Sequence, residues 1–309
     1  VDVLGTVTAV APDGTVRWQI AGAGGKGLAV GPDGTVYAAS SEAVRAFAAD
    51  GSPRWTFVQD PRALVLLGLA LGPDGNLYAV ASSGLGVFSL APDGRLRWAT
   101  PEPYDRPNVL YGELVFGPGP GGGLQLCFHA NRHLRGLTSD GEEVFSIVGG
   151  DQPAVSPLDG SVHQGDASYR PDGTLAWRAG LFVGAPPALG PDGTTYVPFL
   201  QSALVALDPA GRERWRTTSP DWLGNPDVAP GGATLLVTGS EPSALAATLQ
   251  AFGRDGARLW RLAFPELGGG RPSLDGRIAF TPDASRAYLV LVATGADGPR
   301  AWLVAVGLR

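Results

Sequence analysis

Methionine is absent from the 309 residues, lysine occurs once (Lys26) against 22 arginines, and there is one cysteine (Cys127). A single cysteine excludes an intrachain disulfide. Cys127 lies in the strand-like run Leu124-Gln125-Leu126-Cys127-Phe128 and reads as a small buried hydrophobe. No apolar run reaches the ~18 residues of a membrane-spanning helix. The most apolar stretch, Leu64 to Leu71, suits a buried strand. Net charge is −6 and no basic patch occurs, which argues against a nucleic-acid partner. No sustained 3.6-residue apolar period with caps is found, so no helix of ordinary length is expected. A chain that begins Val1-Asp2-Val3 without methionine is expected to have been cut, by removal of a secretion signal or by a boundary set otherwise. Export (periplasmic, envelope-associated or secreted) is the expectation.

Glycine and proline are abundant, 73 residues together. They fall mostly in Pro-Asp-Gly and Asp-Gly turns between short apolar runs, so they punctuate strands. Seven times a glycine is followed four residues later by a large aromatic: Gly14/Trp18, Gly51/Trp55, Gly94/Trp98, Gly141/Phe145, Gly173/Trp177, Gly211/Trp215 and Gly256/Trp260. The aromatics are spaced by 37, 43, 47, 32, 38 and 45 residues. These intervals bracket the ~40–45 residues of a four-stranded propeller blade. A second marker, an aromatic three residues after a turn glycine, recurs as Gly34/Tyr37, Gly75/Tyr78 and Gly193/Tyr196, with His163 in the equivalent place after Gly160.

The unit from Pro187 to Trp215 reads as four short strands, here lettered A to D, joined by tight turns. The expected fold is an all-β, seven-bladed β-propeller of four-stranded antiparallel blades, one domain over 1–309. Its blades fall near 25–57, 64–100, 110–147, 152–179, 184–218 and 225–262, with 270–309 closed by 1–20. That last blade has more residues than it needs, either as an extra strand at Thr6 to Val10 or as extended ends.

The segment Ala206-Leu-Asp-Pro-Ala-Gly-Arg-Glu-Arg-Trp215 resembles the tryptophan-docking motif of pyrroloquinoline-quinone-type propeller repeats, and parts of it recur before Trp55 and Trp98. The resemblance implies that Trp18, Trp55, Trp98, Phe145, Trp177, Trp215 and Trp260 are structural and pack between neighbouring blades. That placement also suits large rings filling a widening gap. The quinone-dependent dehydrogenases of this family are longer, with eight blades, a catalytic carboxylate, a calcium site and often a vicinal cysteine pair. The chain is more similar in character to the family's other branch, the outer-membrane assembly lipoprotein that scaffolds barrel insertion through protein contacts. The Asp-Gly turns also resemble those of streptogramin-lyase-like propellers.

Function in such folds is grafted onto loops. The D-to-A and B-to-C connections supply Tyr104, Arg106, Asn131, Arg132, His133, Trp222 and Asn225 as candidate ligand or partner contacts. Tyr, Trp and Arg are the usual interface anchors. Trp222 stands outside the docking pattern, and its competing reading is a ring packed on its own blade. His129 and His133 lie across a loop with no evident third ligand, so no metal site is expected. His163 reads as a replacement for a packing tyrosine. No cofactor and no catalytic residue are expected. The expectation is a non-catalytic scaffold or binding protein, a monomer, engaging a protein or polymer. The alternatives are an enzyme with a channel-mouth site (a quinone-dependent oxidoreductase or a lyase/hydrolase) and, more weakly, a sugar-binding propeller. The last is disfavoured because loop aromatics do not recur from blade to blade.

Overall fold

The structure, a computed structural model, describes residues 5–308 except 26, 41, 59–65, 82–85, 101–109, 131, 150–151, 182, 184, 201, 243–245, 265–270 and 296–297. Two compact units result: Val1–Gln152 with Pro171–Gly173, and Pro153–Arg170 with Thr174–Arg309.

The first unit opens with a two-stranded sheet, β1 (Val7–Val10) against β2 (Val16–Ile20). Blade 1 is β3 (Gly27–Val30), β4 (Val36–Ala39), β5 (Ala43–Phe47) and β6 (Pro53–Val58). Blade 2 is β7 (Leu66–Leu71), β8 (Leu77–Ala81), β9 (Val87–Leu90) and β10 (Leu96–Thr100). Blade 3 is β11 (Leu110–Pro118), β12 (Leu124–Ala130), β13 (His133–Thr138) and β14 (Glu143–Val148).

The second unit holds blade 4, made of β15 (Ala154–Val155), β16 (Val162–Gln164), β17 (Ala167–Tyr169) and β18 (Leu175–Arg178). Blade 5 follows as β19 (Ala188–Leu189), β20 (Thr195–Phe199), β21 (Ala203–Leu207) and β22 (Glu213–Thr218). Blade 6 is β23 (Trp222–Val228), β24 (Thr234–Ser240), β25 (Ala247–Gly253) and β26 (Arg258–Phe264). The last sheet has three strands, β27 (Arg271–Phe280), β28 (Arg286–Gly295) and β29 (Gly298–Gly307). Every ladder in the named sheets is antiparallel, and the fold class is the all-β, seven-bladed propeller. The one helical turn among the described residues is the 3-10 turn Pro120–Gly122, inside the glycine-rich A–B connection of blade 3.

The hairpins form for a local reason. In the turn before β6, Gly51 N donates to Ala48 O at 2.9 Å, and Asp50 Oδ1 accepts from Ser52 N at 3.0 Å and Ser52 Oγ at 2.7 Å. Asp50 therefore occupies itself with its own turn. Asp33 does the same before β4, and bonds from the Thr35 hydroxyl and amide, with Arg54 beside it, hold its carboxyl down at about 2.

Within each unit the core consists of apolar layers between facing sheets. Tyr37, Val44 and Ala46 of blade 1 meet Leu77, Ala79 and Phe88 of blade 2. Leu204 and Ala206 of blade 5 meet Leu235, Val237 and Phe252 of blade 6. The fourth strands are the most exposed, with their docking aromatics half-buried or buried.

Six of the docking aromatics, those from Trp18 to Trp215, lie on the turn glycine of the following unit. Built Cβ atoms on Gly51, Gly94 and Gly141 would strike Trp18, Trp55 and Trp98, and those on Gly211 and Gly256 would strike Trp177 and Trp215. Each indole N–H then donates to the carbonyl two residues before that glycine. Trp18 reaches Ala49 O at 2.9 Å, Trp55 reaches Pro92 O at 2.9 Å and Trp98 reaches Ser139 O at 2.8 Å. Trp177 reaches Pro209 O at 3.0 Å and Trp215 reaches Arg254 O at 2.7 Å.

Phe145 packs on Gly173 in the same way but has no N–H. The carbonyl it cannot serve, Pro171 O, accepts instead from Gln125 Nε2 at 2.9 Å. Gln125 is a buried residue of β12, so the missing indole donor is replaced by an amide from another strand. Leaving that carbonyl unpaired would carry its desolvation cost, and this explains a buried glutamine among apolar neighbours.

Candidate functional site

Blade 6 is built around a polar cluster at the edge carrying its D-to-A and B-to-C connections. The buried Asp221 precedes β23. Its Oδ2 accepts from Arg261 Nε at 2.7 Å and from Gln250 Nε2 at 3.1 Å, and its Oδ1 accepts from Arg261 Nη2 at 3.0 Å. Arg261 Nη2 also donates to Glu241 Oε2 at 3.2 Å. Ser219 Oγ accepts from Asp221 N and from Gln250 Nε2, each at 3.1 Å. A carboxylate buried to this depth is tolerable because a guanidinium and an amide N–H satisfy it.

The next residue, Trp222, is turned the other way and is 49% exposed. Its ring therefore projects from the rim of blade 6. It borders a groove of about 360 Å³ whose walls include Trp222 and Asn225 of β23, Thr238 and Ser240 of β24, and Ser273 and Leu274 of β27. An irregularity in β23 lies along this groove. Leu223 pairs with Gly239 and Pro226 with Val237, so Gly224 and Asn225 together face Thr238. The Thr238 hydroxyl closes this bulge, accepting from Asn225 N at 3.1 Å and donating to Asn225 O at 3.3 Å. Gly239 has no room for a side chain, since a Cβ there would collide with the Trp222 carbonyl.

The structure brings Trp222 and Asn225 together on this groove. Arg132 and His133 belong to the first unit. Arg132 sits at φ +64° in the β12–β13 turn, and its carbonyl accepts from Gly149 N at 2.8 Å. His133 Nδ1 shares a 3.1 Å hydrogen bond with Ser146 Oγ, and His129 Nε2 lies 2.8 Å from Gly149 O. Tyr104, Arg106 and Asn131 lie outside the described residues. Among the described residues no group of three or more His, Cys, Asp and Glu side chains is placed to hold a metal ion. Nor is any helix among them long and apolar enough to cross a membrane. Cys127 is fully buried, and burial pushes its thiol up, away from reactivity.

The sequence pattern gives Asp221, Ser219, Glu241, Gln250 and Arg261 no role. One signal was present: arginine directly follows the docking tryptophan at Arg178, Arg216 and Arg261. Successive strand residues face opposite ways, so this arginine leaves the docking face. Each finds a carboxylate: Asp166 at 3.1 Å, Glu213 at 2.7 Å and Asp221 at 2.7 Å. In blade 4 the buried Asp166 also accepts from Leu181 N at 2.9 Å, so there too a carboxylate pins a D-to-A connection.

His163 is buried and packs edge-on against Trp177 with ring centroids 5.6 Å apart. Tyr37, Tyr78 and Tyr196 pack on Trp55, Trp98 and Trp215 at 5.8, 6.0 and 5.9 Å. Burial pushes the imidazole pKa down to about 4, against a partial upward pull from Asp159. The native protein therefore keeps His163 neutral, whereas the unfolded chain takes up a proton below about pH 6.5. Stability present above that pH is lost as pH falls from 6.5 towards 4, by about 3 kcal/mol in all, and no further below that. Urea unfolding of the wild type and of His163→Tyr across this window should show a shallower pH dependence in the variant; equal slopes would refute the assignment.

Residues 158–248 match the family model described as PQQ_2, outer membrane protein assembly factor BamB. No curated protein sequence matches the chain. Among solved structures, BamB from Moraxella catarrhalis superimposes with a TM-score of 0.64 at 15% identity, covering 97% of this chain and 91% of that one. A streptogramin B lyase structure gives 0.56 at 14% identity, covering 97% of each chain. A catalytically inactive virginiamycin B lyase from Staphylococcus aureus with quinupristin gives 0.58 at 14% identity, covering 97% of this chain and 99% of that one. The resemblance to quinone-type repeat propellers read from the docking motif is thus borne out. At these identities the structural likenesses speak for the fold alone.

Proposed function

We propose that the chain is a non-catalytic binding propeller that engages a protein or an extended polymer through the Trp222 rim of blade 6. One observation carries this reading: a large aromatic stands half out of the surface directly after a buried carboxylate bonded by a guanidinium and an amide. Tryptophan is among the residue types most enriched as interface anchors. The family match over 158–248, to an outer-membrane assembly factor, supports a scaffold role and an envelope location.

A photoreactive residue in place of Trp222, in the full chain, should crosslink to a macromolecular partner well above the yield from Leu158, an exposed control on blade 4. Equal yields would overturn the placement of the site. The lyase likeness supplies the competing reading and its test. Quinupristin incubated with the full chain should be recovered with its mass unchanged. Turnover of it would overturn the non-catalytic reading.

A further inference from the structure

We infer that the groove beside Trp222 takes a neutral saccharide, with one ring stacked on the indole; this rests on the binding reading above and names its occupant. Four features point there. Among the described residues the groove walls carry no charged side chain. An ionic ligand would shed its hydration there without a counter-charge, which is unfavourable. Trp222 is half-exposed on the groove, and an indole suits the apolar C–H face of a sugar ring.

Hydrogen-bonding groups stand ready beside that face. The Asn225 amide and the Ser240 hydroxyl, both on partly buried residues, make no side-chain hydrogen bond among the described residues. An amide and a hydroxyl supply donors and acceptors together, as polyol recognition needs.

The fourth feature weighs against an extended peptide. β23 is the first strand of its sheet, so one edge has no ladder partner within that sheet. A peptide strand could add there only along a regular row of amides and carbonyls. The bulge at Gly224–Asn225 breaks the row, and Pro226 has no N–H. Recognition must then run through side chains, as it does for a compact neutral polyol. The site belongs to one groove and is not repeated in every blade.

The test is calorimetric titration of the full chain with neutral gluco-, manno- and xylo-oligosaccharides, beside a set of uncharged peptides. At least one saccharide series should bind. Trp222→Ala should weaken that binding about tenfold or more, Trp222→Phe less, and Asn225→Ala about fivefold. The saccharide should be recovered intact. Failure of every saccharide to bind, or binding unchanged in Trp222→Ala, overturns the inference. Peptide binding that depends on Trp222, without saccharide binding, also overturns it while leaving the binding reading in place. Recovery of a cleaved saccharide overturns the non-catalytic reading instead.

Discussion

Gly211→Ala should destabilise the protein by about 3 kcal/mol or more, the sum of two separate effects. Gly211 has φ +81°, a left-handed conformation that costs an L-residue roughly 1–2 kcal/mol. An alanine Cβ there would also lie 2.5 Å from Trp177 Cδ2. The indole would have to lift, giving up its 3.0 Å bond to Pro209 O and opening the layer it seals. Overpacking of this kind costs about 1–3 kcal/mol. Gly180→Ala is the control: Gly180 has φ +72° but nothing within 4 Å of the added Cβ. Urea unfolding should place Gly180→Ala at the backbone cost alone, with Gly211→Ala well beyond it. In Trp177→Ala the same glycine substitution should lose its steric part, so the double variant costs less than the two singles combined.

Arg261→Met should cost a further large amount, about 3 kcal/mol, for a different reason. It leaves Asp221, whose side chain is 2% exposed, charged in a buried place with two of its bonds removed. Removing one partner of a buried pair is far worse than removing both. Asp221→Asn combined with Arg261→Met should therefore be more stable than Arg261→Met alone. If the single variant melts like the wild type, the cluster does not hold blade 6 as argued above.

Much of this fold was legible because its repeat is enforced by local chemistry. A glycine at positive φ and an aromatic four residues on each leave a mark in the sequence, and the marks recur. What the spacing concealed is that the aromatic serves the next unit's glycine, as Trp18 serves Gly51. Phe145 was readable as a ring without its N–H. Its substitute donor was not, because Gln125 lies on another strand and reaches Pro171 only once the chain is folded. The site was legible in the same uneven way. Trp222 stood out because it broke the docking pattern. Asp221, Gln250 and Arg261 did not, since 29 and 40 residues separate the carboxylate from its partners. Asn225 was chosen from its loop, but the bulge that sets it on the groove depends on pairing with Thr238.

The central claim is that an exposed indole on a rigid rim is there to bind. The most direct measurement compares partner capture by the wild type and by Trp222→Ala, with a thermal melt of each. Trp222 is half-exposed and lies outside the carboxylate cluster, so the variant should keep the wild-type melting temperature and lose capture. Undiminished capture by a folded Trp222→Ala protein would contradict the account.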